Sequence, residues 1–231
     1  MFTLLSLQAD SLTAATSTAV IENVAPNTEV SVLEFILKGG VFLIPIAILL
    51  FYTFYVIAER YMYIDKASKI DDRLLRDVGE QLQSGNIELA RAIVERSTNA
   101  SSTIIKEGIL VIGRPIAEIE SNMDRAADIE IGQMEKHLGH LGLIAGIAPT
   151  LGFIGTISGV IKIFYSISVT ENISIGNISG GLYEKMISSG AGLIVGIIAY
   201  SAYHLLNGKI DNFALKVQKQ ILEFVNIIQR A

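Results

Sequence analysis

The chain has 231 residues, of which 51% are hydrophobic and 18% are charged, with a formal net charge of −5 and no cysteine. The charged share lies below the roughly 25% of an average soluble domain. The absence of cysteine excludes disulfides, thiolate catalysis and zinc–thiolate sites. The surplus of apolar residues is concentrated in blocks. This favours a membrane protein, with a buried helix of a soluble core as the alternative for each block.

Three of these blocks are long enough to cross a bilayer, whose core of roughly 30 Å needs about 20 apolar residues in a helix. They are predicted at 39–58, 138–167 and 186–206. The fold class expected is therefore an all-α membrane protein with three transmembrane helices and long helical extensions on one side. The other segments are an N-terminal tail with a short amphipathic helix at 1–38, a helical region at 59–137, a loop at 168–185 and a C-terminal helix at 207–231.

The distribution of basic residues predicts the direction of the spans. Residues 1–37 and 168–183 contain no Lys or Arg, whereas 59–137 is rich in both and the C-terminal segment carries Lys209, Lys216 and Lys219. Segments that stay in the cytoplasm carry an excess of Lys and Arg. We therefore expect the N-terminal tail and the loop 168–185 in the periplasm, with 59–137 and the C-terminus in the cytoplasm of a bacterial cell.

Turn residues divide the region between the first two spans into helices. The sequence Ser-Gly-Asn at 84–86 ends one helix, and Asn86 is placed to cap the next. Gly-Arg-Pro at 113–115 makes a second break. A helix at 116–137 follows and is expected to continue into the second span. In the N-terminal tail, Ser31 and Glu34 form a candidate capping box.

Small residues and prolines mark the spans as closely packed. Glycines recur at a spacing of four in the second and third spans, which lets helix backbones approach closely in lipid. Pro149 removes a backbone N–H and can bend the second span. We interpret this set as packing and kink residues, namely Pro149, Gly152, Gly155, Gly159 and Gly192.

The hydroxyl-bearing residues of the spans have two readings. A hydroxyl in a membrane helix can bond to the backbone carbonyl four residues earlier, or several on neighbouring helices can line a hydrated path. A proton path needs a titratable group, yet no Asp or Glu lies inside any of the three spans. Glu184 and Lys185 lie at the outer end of the third span. They are either an interfacial pair with solvated head groups or functional charges at the outer mouth.

Two other chemistries have weaker support. His137 and His140 are three residues apart and could share a metal, but two histidines without a matching carboxylate are a poor ligand set. Ser201 and His204 could belong to an intramembrane serine hydrolase, but nothing in the sequence orients the histidine as a base. We expect no cofactor, no metal and no enzymatic activity.

The second span carries a motif that resembles the signature of a known family. The sequence APTLGFIGTISG at 148–159 resembles the AP-x-x-G-x-x-G-T-x-x-G pattern of the MotA/TolQ/ExbB proton-channel family, and Phe164-Tyr165 follows it. ISSGAGL at 187–193 looks like the family's x-T-T-A-x-G-L run, and Glu59-Arg60 after the first span also matches. The family's later proline is replaced by Ile198. The number of spans is closest to the ExbB and TolQ members.

That resemblance implies a ring, commonly a homopentamer, whose second and third spans line a central pore. It implies a single-span ExbD- or TolR-like partner inside the pore that supplies the proton-carrying Asp, and a TonB- or TolA-like protein that receives the force. The family's pore threonines correspond to Thr156 and, as serine, Ser189, with Ser188 beside it. The alternative function is a non-conducting structural membrane scaffold with the same spans.

Overall fold

The structure is a computed structural model that describes residues 41–170 and 175–230, without the side chains of Asp72, Asn177, Glu184 and Arg230. All regular elements in these ranges are helical. They are α1 (Leu43–Ala67), α2 (Asp72–Gln83), α3 (Ile87–Glu95), α4 (Ala100–Leu110), α5 (Ile116–Glu135), α6 (Leu138–Thr170) and α7 (Ile175–Arg230). The N-terminal tail, with its candidate capping box at Ser31 and Glu34, lies outside the described residues.

The helix boundaries between α2 and α5 follow local chemistry. Asp71 accepts a hydrogen bond from the Arg73 N–H at 3.0 Å and starts α2. Asn86 accepts one from the Leu89 N–H at 3.4 Å and starts α3, which confirms the predicted cap. Gly113 has φ +95°, a left-handed conformation that costs glycine little. Together with Pro115 it separates α4 from α5 as predicted.

The boundary between α5 and α6 corrects the expectation of one continuous helix. α5 ends at Glu135 because Lys136 is extended (ψ 134°) and His137 has φ +68°, so the repeat of helical hydrogen bonds stops there. α6 begins at Leu138. The helix that precedes the second span is therefore a separate element joined to it at Lys136 and His137.

One hydrophobic core holds α2–α5 against the end of α1 and the C-terminal half of α7. Ile64, Met123, Phe213 and Phe224 are buried in it. We call this part of the molecule the bundle. α7 runs unbroken from the third span into the bundle, so the third span and the predicted C-terminal helix are parts of one continuous helix.

Three helical stretches are long and apolar enough to cross a membrane: Leu43–Ala67, a stretch within Ile116–Thr170 and a stretch within Ile178–Gln229. A second, smaller core joins them and contains Ile46, Ile144 and Val195. Most other large apolar side chains of the spans are exposed. Such a surface is stable in contact with lipid or with another apolar surface, not with water.

Candidate functional site: the seam between the second and third spans

Glycines bring α6 and α7 into backbone contact along one line, which we call the seam (148–159 of α6 against 185–196 of α7). A Cβ atom on Gly192 would collide with the carbonyl oxygen of Ala148, and one on Gly152 would lie 2.9 Å from the Cα of Ser189. Because real Cβ atoms do not come this close to backbone, only glycine permits this separation of the helices. The predicted packing residues Gly152 and Gly192 therefore face each other across the seam.

The outer half of the seam continues the same contact. A Cβ on Gly155 would lie 2.9 Å from the Ser188 Oγ atom. The aliphatic part of Lys185 lies across Gly159, which leaves room for it. The structure thus brings four of the predicted glycines, Ser188, Ser189 and Lys185 into one strip. The side chain of Glu184 is outside the described residues.

Pro149 lies at the inner end of the seam. It has no N–H to donate to the carbonyl of Ala145, so that oxygen lacks its helical partner. The same oxygen would lie 3.1 Å from a Cβ on Gly196, and the proline ring would lie 2.6 Å from it. Gly196 therefore accommodates both the ring and the carbonyl that the ring sets free. Its spacing of four from Gly192 predicts close packing, and the structure shows that the proline ring is what it packs against.

The hydroxyls of the seam converge on carbonyl oxygens. Thr156 Oγ1 lies 3.2 Å from the oxygen of Gly152 on its own helix and 3.4 Å from that of Lys185 on the other helix. Ser188 Oγ donates to the oxygen of Lys185 at 3.0 Å and is fully buried between the helices. Ser189 is half-buried and crosses Gly152 with its backbone. A hydroxyl that donates to a carbonyl keeps its lone pairs, so Thr156 can still accept a hydrogen bond from water or from an acid.

A polar network at the bundle end of the spans was only partly foreseen. Arg60 is 5% exposed, ion-paired with Glu59, and donates to the carbonyl of Gln133 at 3.2 Å. His137 Nδ1 lies 3.5 Å from Glu59 Oε2, and its ring stacks on His140 at 5.5 Å. Glu59 and Arg60 therefore hold the joint between α5 and α6 against α1. The positive φ of His137 that makes this possible has no signal in the sequence.

The structure shows the surroundings of the histidines in the two weaker hypotheses, the metal pair at His137 and His140 and the hydrolase pair at Ser201 and His204. His140 Nδ1 is 2.8 Å from the hydroxyl of Tyr52, so both histidines at the joint have protein contacts. His204 packs edge-on against Tyr200 at 4.3 Å and Tyr203 at 5.2 Å. Within residues 175–230, no hydrogen bond joins it to Ser201. The arrangement lacks the contact on which serine activation depends.

The described residues form three apolar helices, two of which meet at a tight seam, and these are the features of a multi-pass membrane protein. A sequence model of the MotA/TolQ/ExbB proton channel family matches residues 87–219. The chain is also 31% identical over 189 residues to a putative biopolymer transport protein ExbB homolog of Methanothermobacter thermautotrophicus, covering 81% of this chain and 67% of that one.

Two further relatives agree with this. An ExbB-like putative biopolymer transport protein of Synechocystis is 26% identical over 178 residues, covering 75% of this chain and 70% of its own. The Tol-Pal system protein TolQ of Haemophilus influenzae is 27% identical over 108 residues, 47% of each chain. The protein belongs to the MotA/TolQ/ExbB proton channel family, close to ExbB and TolQ. It is a multi-pass inner-membrane protein with a transport or envelope role linked to the proton motive force.

Proposed function

We propose that several copies of this chain, a pentamer by resemblance to the family, form the wall of a proton channel in the inner membrane. α6 and α7 face the central pore, which holds a single-span helix of an ExbD- or TolR-like partner. The partner transmits force to a TonB- or TolA-like protein. The observation that carries the proposal is the seam itself, which is tightly packed, bears hydroxyls and contains no carboxylate.

The missing acid has a direct consequence for mechanism. A proton that moves down the membrane potential releases about 2.3 kcal/mol per 100 mV. A titratable group within the membrane is needed to carry it. Since the apolar stretches 39–58, 138–167 and 186–206 contain no Asp or Glu, the acid has to come from the partner helix. Protonation neutralises that acid and lets it face apolar wall, whereas deprotonation favours a position beside hydroxyl groups.

The contacts of the seam suggest separate roles for its hydroxyls. Thr156 and Ser189 are half-buried in the protomer and are the proposed pore-lining groups. Ser188 is fully buried, and its hydroxyl is bonded to the oxygen of Lys185 on its own helix. Because its Oγ atom packs against Gly155 of α6, its proposed role is in the contact between the two helices and not in the path itself. Glu184 and Lys185 then lie at the periplasmic mouth of the pore. The bundle lies on the opposite side of the membrane, in the cytoplasm.

Exposed apolar surface supports assembly into a ring. Phe153, Ile161 and Ile194 belong to the two spans of the seam and are 60%, 62% and 61% exposed in the protomer. Neighbouring copies and the partner helix would cover part of this surface, since membrane helices associate through close packing and hydrogen bonds. The glycine-mediated backbone contacts make each α6–α7 pair a stiff unit of the wall.

The test is proton flux through liposomes that contain the chain with its single-span partner. The double variant Thr156→Val with Ser189→Ala should lower flux by at least about tenfold, the effect of roughly 1.4 kcal/mol on a barrier. The matched control is Thr170→Val with Ser179→Ala. Those hydroxyls lie on the same two helices, are exposed, and also bond to carbonyls of their own helix. The control should conduct like the unmodified protein.

Two results would contradict the proposal. Full flux in the double variant at unchanged complex assembly would exclude the pore assignment of Thr156 and Ser189. No flux above that of empty liposomes from the unmodified complex would favour the structural scaffold, in which the hydroxyls only bond to backbone.

A further inference from the structure

A groove of about 590 Å³ lies between α1 and α7 where the spans meet the bundle. Ile57 and Tyr61 of α1 form one wall, and Leu205, Gly208, Lys209 and Asn212 are among the residues of the other. None of its lining residues belongs to the seam.

The chemistry of the groove changes along its length. Ile57 and Leu205 lie within the apolar spans, and Leu205 is 73% exposed. One turn further along α7, Lys209 brings a cation, and Asn212 brings an amide about one turn beyond it. A groove that is apolar within the membrane and cationic at its edge matches a molecule with a hydrocarbon chain and an anionic head.

The ring of Tyr61 positions the ammonium group of Lys209 at the edge of the groove. The lysine Nζ atom lies 4.0 Å from the centre of the Tyr61 ring, a cation–π contact that leaves the charge in place. Among the side chains that the structure describes, no carboxylate forms an ion pair with Lys209 within 4.0 Å. His204 is the other titratable basic group of the lining, and Tyr61 adds a phenolic hydroxyl.

Gly208 is one of the residues that line the groove. It lies inside α7, where glycine is less favourable than alanine by about 1 kcal/mol. A Cβ atom built on it meets no other atom within 4 Å, so this glycine is not explained by packing within the protomer. A larger side chain would instead point into free space next to Lys209.

We propose that this groove binds an anionic phospholipid of the leaflet on the bundle side of the membrane. One acyl chain lies along Ile57 and Leu205, and the phosphate lies at Lys209 with Asn212 beside it. Basic pockets between transmembrane helices are sites for anionic lipid head groups. The proposal depends on the membrane location of the protein and not on proton conduction.

The test uses the full chain in detergent, titrated with phosphatidylglycerol or phosphatidylcholine, with bound lipid counted by native mass spectrometry. The unmodified chain should bind phosphatidylglycerol more tightly than phosphatidylcholine. Lys209→Gln should weaken phosphatidylglycerol binding by about fivefold, the weight of one basic residue near an anionic membrane. Gly208→Leu should abolish it by filling the groove. Lys216→Gln, an exposed change two turns further along α7, should leave it unchanged.

Any one of four binding results would overturn the proposal, and so would a fifth result, on subunit number. The binding results are equal binding of the two lipids, equal loss in the Lys216 control, full binding in both groove variants, and replacement of the lipid by inorganic phosphate at millimolar concentration. Helical content and melting temperature of each variant identify a folding defect. If Gly208→Leu misfolds, Lys209→Gln still decides the question. If Gly208→Leu changes subunit number while lipid binding persists, the groove is a contact between copies and the lipid assignment is wrong.

Discussion

The carbonyl oxygen of Ala148 on α6 occupies the space that a Cβ atom on Gly192 of α7 would need. The two backbones are therefore as close as van der Waals contact permits, and the contact is made by main-chain atoms that cannot rotate away. The stability of the seam depends on the absence of a side chain at this position.

We expect Gly192→Ala to destabilise the protein by about 1–3 kcal/mol, the usual cost of adding a methyl group to a tightly packed site. The control is Gly190→Ala, two residues earlier on α7, where a Cβ meets no atom within 4 Å. That change should be neutral or stabilising by up to about 1 kcal/mol, because alanine favours a helix over glycine. Thermal unfolding in detergent, followed by circular dichroism, measures both. Equal melting temperatures would contradict the seam geometry.

The joint between α5 and α6 makes a different prediction, because His137 has φ +68°. A left-handed conformation costs an L-residue with a side chain roughly 1–2 kcal/mol, and glycine avoids that cost. His137→Gly should therefore be more stable than His137→Ala by about 1 kcal/mol after the larger chain entropy of glycine is counted. Both variants lose the same contacts with Glu59 and His140, so their difference isolates the backbone.

The same pair of substitutions at an ordinary helical position provides the control. Asp128 is exposed in the middle of α5. There the alanine variant should be the more stable one by about 1 kcal/mol. Chemical unfolding of all four variants tests the reversal of sign. If alanine is the more stable variant at both positions, α5 continues through His137 and the assigned break between α5 and α6 is wrong.

A buried hydrogen bond within the bundle gives the third prediction. Ser101 Oγ of α4 donates to Gln220 Oε1 of α7 at 2.6 Å, and the Gln220 Nε2 atom is buried without a partner in the described part of the chain. Ser101→Ala should cost about 1–3 kcal/mol, because it leaves the buried amide with no bond at all. The double variant Ser101→Ala with Gln220→Met should cost less than the sum of the two single changes, since it removes both polar partners.

A double-mutant cycle of unfolding free energies measures this coupling. Additive effects would mean that the two side chains do not interact. The exposed pair Ser84→Ala and Gln83→Met, at the end of α2, is the control and should show small and additive effects.

Local features of this chain were predictable because they depend on neighbouring residues. The three spans follow from the length of apolar runs, and the start of α3 at Asn86 follows from one side chain and one backbone N–H. The break at 113–115 needs only a glycine and a proline. The break at Lys136 and His137 was missed because neither residue excludes a helix. It is stabilised by Glu59 and Arg60, which lie more than seventy residues earlier in the chain.

The glycines of the seam show the same division. Their spacing of four predicted close packing, but it does not say which glycine meets which backbone atom. The spacing of Gly192 and Gly196 predicts a close contact, but the contact of Gly196 with the ring of Pro149 depends on the other helix. Ser188 and Ser189 are adjacent and chemically identical, yet one is fully buried and the other half-buried. That difference depends on the rotation of α7 against α6.

The sequence by itself determined that the chain is helical, enters the membrane three times, has no acid inside the membrane and matches the motif of its family. Those properties depend on composition, on the length of apolar runs and on residue identity. Each can be predicted without knowing which helices pack against one another. The tertiary structure alone decided the contact of Ala148 with Gly192, the pairing of Ser101 with Gln220 and the position of Lys209 over Tyr61. These contacts join residues far apart in the chain, and their geometry results from how whole helices pack, which no local pattern encodes.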